Sequence, residues 1–177
     1  SVYRTIKGLE PELVVILGIG HKMQEGFFSL TEKDFETPLG TVKTRKEAVK
    51  KLIQAGGKTV CPDDFTHKKE HSIEFQLLFL QHVLKKGFEI IPVLCGNLSA
   101  AFEIAQSIND IPGVSVFVDA LKQELSEAQG RKLVVAGVDL SHIGLKFGQE
   151  ETGKEQAEEA ETHDWQLMNQ FTILDSE

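Results

Sequence analysis

Leu13-Val14-Val15-Ile16-Leu17 is an unbroken run of branched aliphatic side chains, closed by Gly18-Ile19-Gly20. Such a run has no polar face, so a strand built from it must be covered on both sides. That requirement favours a parallel sheet held between layers of helices over a sheet with one wet face. Phe88 to Leu94 reads as a second strand, with Pro92 marking a bulge or an edge position. Lys132 to Val138 reads as another buried strand.

Helical spacing fills the intervals. Thr44 and Glu47 resemble a capping box ahead of Ala48, Val49, Leu52 and Ile53, and Gly56-Gly57 stops that helix. Ser72 to Leu84 carries an apolar stripe through Ile73, Leu77, Leu80 and Leu84. Ser99 to Ile108, Val116 to Ala128 and Lys154 to Phe171 complete the helices. Strand and helix alternate with connections long enough for crossovers. The expected fold is therefore α/β, a mostly parallel central sheet flanked by helices, in a single domain over 1–177.

Bulk properties exclude several functions. A net charge of -8 opposes binding to a nucleic-acid backbone. No segment reaches the roughly 20 apolar residues of a membrane span. Ser1-Val2-Tyr3-Arg4-Thr5-Ile6-Lys7 lacks the apolar centre of a signal peptide, so a cytoplasmic location is expected. Cys61 and Cys95 are too few for a disulfide framework and too far apart for a zinc knuckle. No glycine-rich loop carries the lysine of a nucleotide-binding P-loop. The acid-rich stretch from Glu150 to Glu161 has the spacing of a solvated helix face.

Ligands of an open α/β sheet sit beyond the carboxyl ends of its strands. His21 leaves the first strand there through a glycine turn, and Asp139 and His142 leave the strand that ends at Val138. The two groups are expected at one sheet edge, in one pocket. His21 alone reads equally as a ligand or as a solvated loop residue. Asp139, three residues before His142, can fix that imidazole's tautomer or raise its basicity. Alternatively, Asp139 or Ser141 caps a following turn.

Glu70-His71-Ser72 puts three polar groups where a helix start needs one cap. The helix dipole favours a neutral imidazole at His71, and Glu70 pulls the other way. The plain alternative is an elaborate cap. Glu74 lies one turn on, toward the same pocket or toward solvent, and His67 stands close enough to support the cluster. His82 and His163 read as surface histidines. Cys95, ahead of Gly96-Asn97, reads as a buried inert thiol, with a ligand or nucleophile as the alternative.

Val15-Ile16-Leu17-Gly18-Ile19-Gly20-His21, then the stretch from His67 through Glu70-His71-Ser72-Ile73-Glu74 to Leu77, then Val138-Asp139-Leu140-Ser141-His142 together resemble the Memo family. Its prokaryotic members are called AmmeMemoRadiSam system protein B. Glu36-Thr37-Pro38-Leu39-Gly40 matches a further phrase of that family, and order and spacing agree along nearly the whole chain. The resemblance implies a fold shared with the class III extradiol dioxygenases, which open catechol rings with non-haem iron. It further implies a metal, iron or copper, in the intact protein, with His21 as a ligand. By the same resemblance His142 is an acid/base histidine with Asp139 beside it. His71 is a second catalytic histidine that also faces substrate, as do Glu70 and Ser141.

Two departures qualify those implications. The family's first metal histidine is expected before Ser1 and its metal-binding cysteine after Glu177, so this chain is expected not to hold the metal by itself. Gly18-Ile19-Gly20 also stands where the family usually has Gly-Pro-Asn or Gly-Pro-Ser. The functional expectation is a metal-dependent oxidoreductase acting on an unidentified small molecule. The alternative is a scaffold or signalling protein that keeps the pocket to bind a small-molecule or peptide ligand, and a zinc hydrolase is a more distant third. The family name also implies a shared pathway with radical-SAM and AMMECR-like proteins.

Overall fold

A computed structural model describes residues 2–98, 107, 110–111, 113–148 and 153–174. The expected helix from Ser99 to Ile108 falls, Ser107 apart, outside them. The chain divides into two compact units, Ser1–Val138 and Asp139–Glu177.

In the first unit the central strand is β1 (Leu13–Ile19), paired in parallel on one side with β5 (Glu89–Cys95) and on the other with β6 (Lys132–Ala136). The register sets Leu13 opposite both Glu89 and Lys132. Three short strands complete the sheet: β2 (Phe28–Leu30), β3 (Phe35–Thr37) and β4 (Gly40–Thr44). The order is β3-β4-β5-β1-β6, with β2 antiparallel to the far end of β5. The expected mostly parallel α/β sheet is thus observed.

Alternation along β1 explains its apolar run. Leu13 and Val15 pack on one face with Ala48, Val49 and Leu52 of α2 (Lys46–Gly56) and Val114 and Phe117 of α5 (Val114–Glu127). Val14 and Ile16 pack on the other with Ile73, Leu77 and Leu80 of α4 (Ser72–Val83). Each fully buried aliphatic side chain contributes about 1.5–3 kcal/mol, so both helix layers are anchored by this one strand. The stripe expected on α4 is the buried one, and Leu84 follows it into the core. Two shorter helices, α1 (Val2–Thr5) and α3 (Asp64–Lys69), precede α2 and α4 respectively.

Several sequence expectations need correction. Thr44 does not cap α2: it ends β4 and donates its hydroxyl to the Lys33 carbonyl, while Arg45 occupies the cap position without a side-chain bond. Glu47 instead pairs with Lys50. Pro92 does not mark a bulge; although β5 is an inner strand, Pro92 itself occupies a local edge position. Ile90 accepts from the Arg45 N–H, so even-numbered residues of β5 face the β4 side. On that side β4 pairs only with Glu89 and Ile90, and β2 begins at Val93. The missing N–H of Pro92 therefore faces the gap between two partial neighbours, where no ladder bond is lost. Finally, Lys132 to Val138 is not a strand buried on both faces. β6 stops at Ala136, pairs with β1 alone among the described residues, and leaves Val134 51% exposed.

The second unit holds a long helix, α6 (Lys154–Leu174), preceded by a loop with one short turn at Leu145–Phe147. Glu155, Glu158, Glu159 and Glu161 are exposed along α6, as a solvated acidic face requires. Among the described residues no helix is long and apolar enough to cross a membrane.

Candidate functional site

Glu70 is the C-cap of α3 and immediately precedes His71, the N-cap of α4. Its carboxylate is buried, and its Oε1 accepts the backbone N–H groups of His71 at 2.9 Å and Ser72 at 3.1 Å. Those N–H groups are the unmet donors of a helix start, and a carboxylate there is favoured by the dipole. The other oxygen, Oε2, accepts from the His21 backbone N–H at 3.3 Å and bonds the His21 ring Nδ1 at 3.0 Å. His71 Nδ1 lies 3.2 Å from Oε1. One carboxylate thus bonds the His21 imidazole and lies beside that of His71, and the two rings stack with centroids 5.7 Å apart and planes within 10°.

Its surroundings keep the Glu70 carboxyl ionised. Burial works to raise the Glu70 carboxyl, but the His21 ring and the Ser72 and His71 N–H groups outweigh it and hold the pKa below its ordinary value. An ionised carboxylate can only accept, so the His21 Nδ1 that bonds it carries the proton. Nε2 then becomes the basic nitrogen on the far side of that ring.

Ser72 fastens this helix start to the sheet. Its hydroxyl accepts from the Ile19 N–H at 3.0 Å and donates to the Ile19 carbonyl at 3.2 Å. The close approach explains Gly18, because a Cβ there would stand 2.6 Å from the Ser72 hydroxyl and 2.8 Å from Ile73. Glycine before the histidine therefore serves helix–strand packing as well as the turn. A cavity of ≈ 640 Å3 opens beside His21, with Lys22, Ser29, Cys61, Asp63 and Lys69 in its lining. His71 does not line it; it is 63% exposed and turns its edge to Phe75 at 5.4 Å.

In the second unit, His142 Nε2 lies 3.8 Å from Asp139 Oδ2, and the His142 ring sits 4.7 Å from that of Phe147. Ser141 gives both its N–H and its hydroxyl to Asp164 Oδ1, at 2.9 and 2.8 Å. His67 does not join the Glu70 cluster; it is buried beneath a different cavity. Glu74, His82 and His163 are exposed. Burial pushes the Cys95 thiol up to about 11, the behaviour of an inert thiol. Sequence reasoning finds Glu70 and His21 but not their bond, since 49 residues separate them.

A metal is implied by the family resemblance, and the donors can be tested against it. Among the described residues no three His, Cys, Asp or Glu side chains converge to hold an ion. The Glu70 oxygens are engaged by backbone N–H groups and His21, leaving two imidazoles as the nearest donors. Stable metal sites use three or four ligands, so the residues present do not make one alone.

These features define an α/β protein whose parallel central strand delivers a carboxylate-clamped histidine to a cavity at the sheet's carboxyl edge. The family model described as Memo-like protein matches residues 1–177, and the chain belongs to that family. It is 35% identical over 150 residues to a MEMO1 family protein of Aquifex aeolicus, covering 84% of this chain and 36% of that relative. A MEMO1 family protein of Pyrococcus abyssi is 34% identical over 143 residues, covering 78% and 45%. One from Methanopyrus kandleri is 31% identical over 169 residues, covering 93% and 50%. The chain spans about a third to a half of the length of these relatives.

Proposed function

We infer that this chain supplies the ligand-binding and proton-handling part of an oxidoreductase acting on a small, oxygen-bearing molecule. The observation that carries the reading is the Glu70 bridge: a buried, ionised carboxylate fixing the His21 tautomer beside a cavity. A carboxylate-backed imidazole is a stronger base than a free one, and its Nε2 can accept a proton from a phenol or enol hydroxyl. Lys22 and Lys69 on the same cavity would stabilise the resulting oxyanion. Glu70 is then a positioning residue rather than a substrate contact, because its oxygens are already engaged.

The iron or copper centre and the kinship to extradiol dioxygenases belong to this proposal only through the family resemblance. No step above uses a metal. His142 with Asp139 is the second acid/base candidate, supported by their 3.8 Å separation. The second reading is a binding protein without turnover, for which the same cavity and its lysines would hold an anionic ligand.

Dioxygen uptake with 4-methylcatechol, with iron(II) or copper(II) supplied, separates the two. The oxidoreductase reading expects uptake that falls about 100-fold or more in His21→Ala, the scale of a lost general base. Catechol binding without uptake supports the second reading. Binding and uptake both unchanged in His21→Ala would refute both.

A further inference from the structure

Helix α3 separates the His21 cavity from a second one of ≈ 700 Å3, whose lining includes Phe35, Glu36, His67, Lys68 and Glu74. That volume is in the range of small-molecule sites. Its buried wall is His67, which is 5% exposed, with neither ring nitrogen making a hydrogen bond. Buried polar atoms are almost always paired, and an unmet one is a reason to look for a missing partner. Phe35 stands edge-on to the imidazole at 6.4 Å and offers it no acceptor or donor. Burial takes the His67 pKa down to about 4, opposed by the Ser29 backbone, which lies near one ring nitrogen without a well-formed hydrogen bond, and by Asp64, Asp63 and Glu70. At neutral pH the ring is therefore uncharged, and one of its nitrogens is an acceptor without a donor.

The charge around it is unbalanced in one direction. Asp34, Glu36, Asp64, Glu70 and Glu74 all reach this cavity, against Lys33 and Lys68. Asp34 is neutralised by Lys43 at 2.7 Å, Asp64 lies 3.7 Å from Lys33, and Glu70 is held by His21. Glu36 and Glu74 have no ion-pair partner among the described residues, and Lys68 alone offsets them. No three metal-binding side chains converge among the described residues, so a bare metal ion does not suit these donors.

We propose that this second cavity binds a small organic ammonium, a primary amine or diamine, whose N–H donates to the His67 ring nitrogen while Glu36 and Glu74 carry the balancing charge. The methylene chain of such a ligand lies along Phe35. The site is distinct from the His21 cavity and does not depend on the oxidoreductase reading. The two cavities share Phe65 in their linings, and the Glu70 carboxylate that holds His21 also borders the second.

Isothermal titration of the whole chain with 1,4-diaminobutane tests the proposal, with uncharged 1,4-butanediol as the matched control. The expected result is saturable binding of the diamine, about tenfold or more tighter than the diol, the scale of one charge-assisted hydrogen bond. Glu36→Gln with Glu74→Gln changes two exposed residues and should weaken the diamine by a similar factor. His67→Leu removes the acceptor but keeps the wall apolar, and should also weaken it. If His67→Leu does not fold, the double glutamine variant decides alone. No saturable diamine binding, equal binding of the diol, or undiminished binding in the glutamine variant would overturn the proposal and leave an ordered water as the partner of His67.

Discussion

Glu70→Gln should unfold far more easily than its size suggests, and the geometry sets the amount. The glutamine keeps one oxygen. Left on the His71 and Ser72 N–H groups, it turns its NH2 toward the His21 N–H and Nδ1–H, which are donors already. Rotated the other way, it strips the cap from α4. Either orientation abandons two bonds to a buried charge, each worth about 1.5–3 kcal/mol. His21 is 40% exposed, so water recovers part of that loss and a net cost of about 3 kcal/mol is expected. At this chain length about 2–4 °C of Tm follows each kcal/mol, giving a fall of about 6–12 °C. The pH dependence has a definite sign. The folded Glu70 pKa lies below its ordinary 4.5, so its stabilisation is complete above that value and disappears as pH falls through the lower, folded one. Urea unfolding at pH 7 and pH 3 should therefore show a large gap between wild type and variant that closes in acid. Glu74→Gln, exposed on the first turn of α4, is the control and should cost under about 0.5 kcal/mol. A Glu70→Gln penalty no larger than the control's, or one equal at both pH values, would refute the clamp.

His67 works in a different pH window. Its folded pKa of about 4 lies below the ordinary 6.5, so wild type should lose about 3 kcal/mol as pH falls from 6.5 to 4, and His67→Leu should flatten that slope in urea titrations. Gly18→Ala should cost about 1–3 kcal/mol by pushing α4 off β1, read as faster amide exchange at the start of α4 and a lower Tm. Cys95 should react with iodoacetamide at pH 8 roughly 100-fold more slowly than in the unfolded chain, because a thiol at about 11 instead of 9 holds that much less thiolate.

Long periodic elements are legible in the amino-acid order because their burial repeats. The stripe on α4 and the double-sided core of β1 are read directly from apolar spacing. β2 and β3 escape because three residues hold no period. β6 misleads because Leu133-Val134-Val135 has the composition of an inner strand, and only the sheet order makes it peripheral. At the site, the helix-cap reading of Glu70-His71-Ser72 matches the bonds observed, and the same carboxylate also holds His21, a contact that no local pattern announces. The unmet His67 is invisible in sequence, since an orphan atom is a property of its surroundings rather than of its residue type.

The sheet is assembled in an awkward order during synthesis. β1 carries the most apolar segment, yet its described partners, β5 and β6, lie far downstream of it, so Leu13 waits for Glu89 and Lys132. Local pairing of β3 with β4 supplies no cover for it. A ribosome adding about 5–20 residues per second leaves Val14 to Leu17 without strand partners for several seconds or more. Nascent chains crowded on one message would meet through that segment. Slower translation past residue 19 would lengthen the hazard, whereas a chaperone seated on it until β5 appears would remove it.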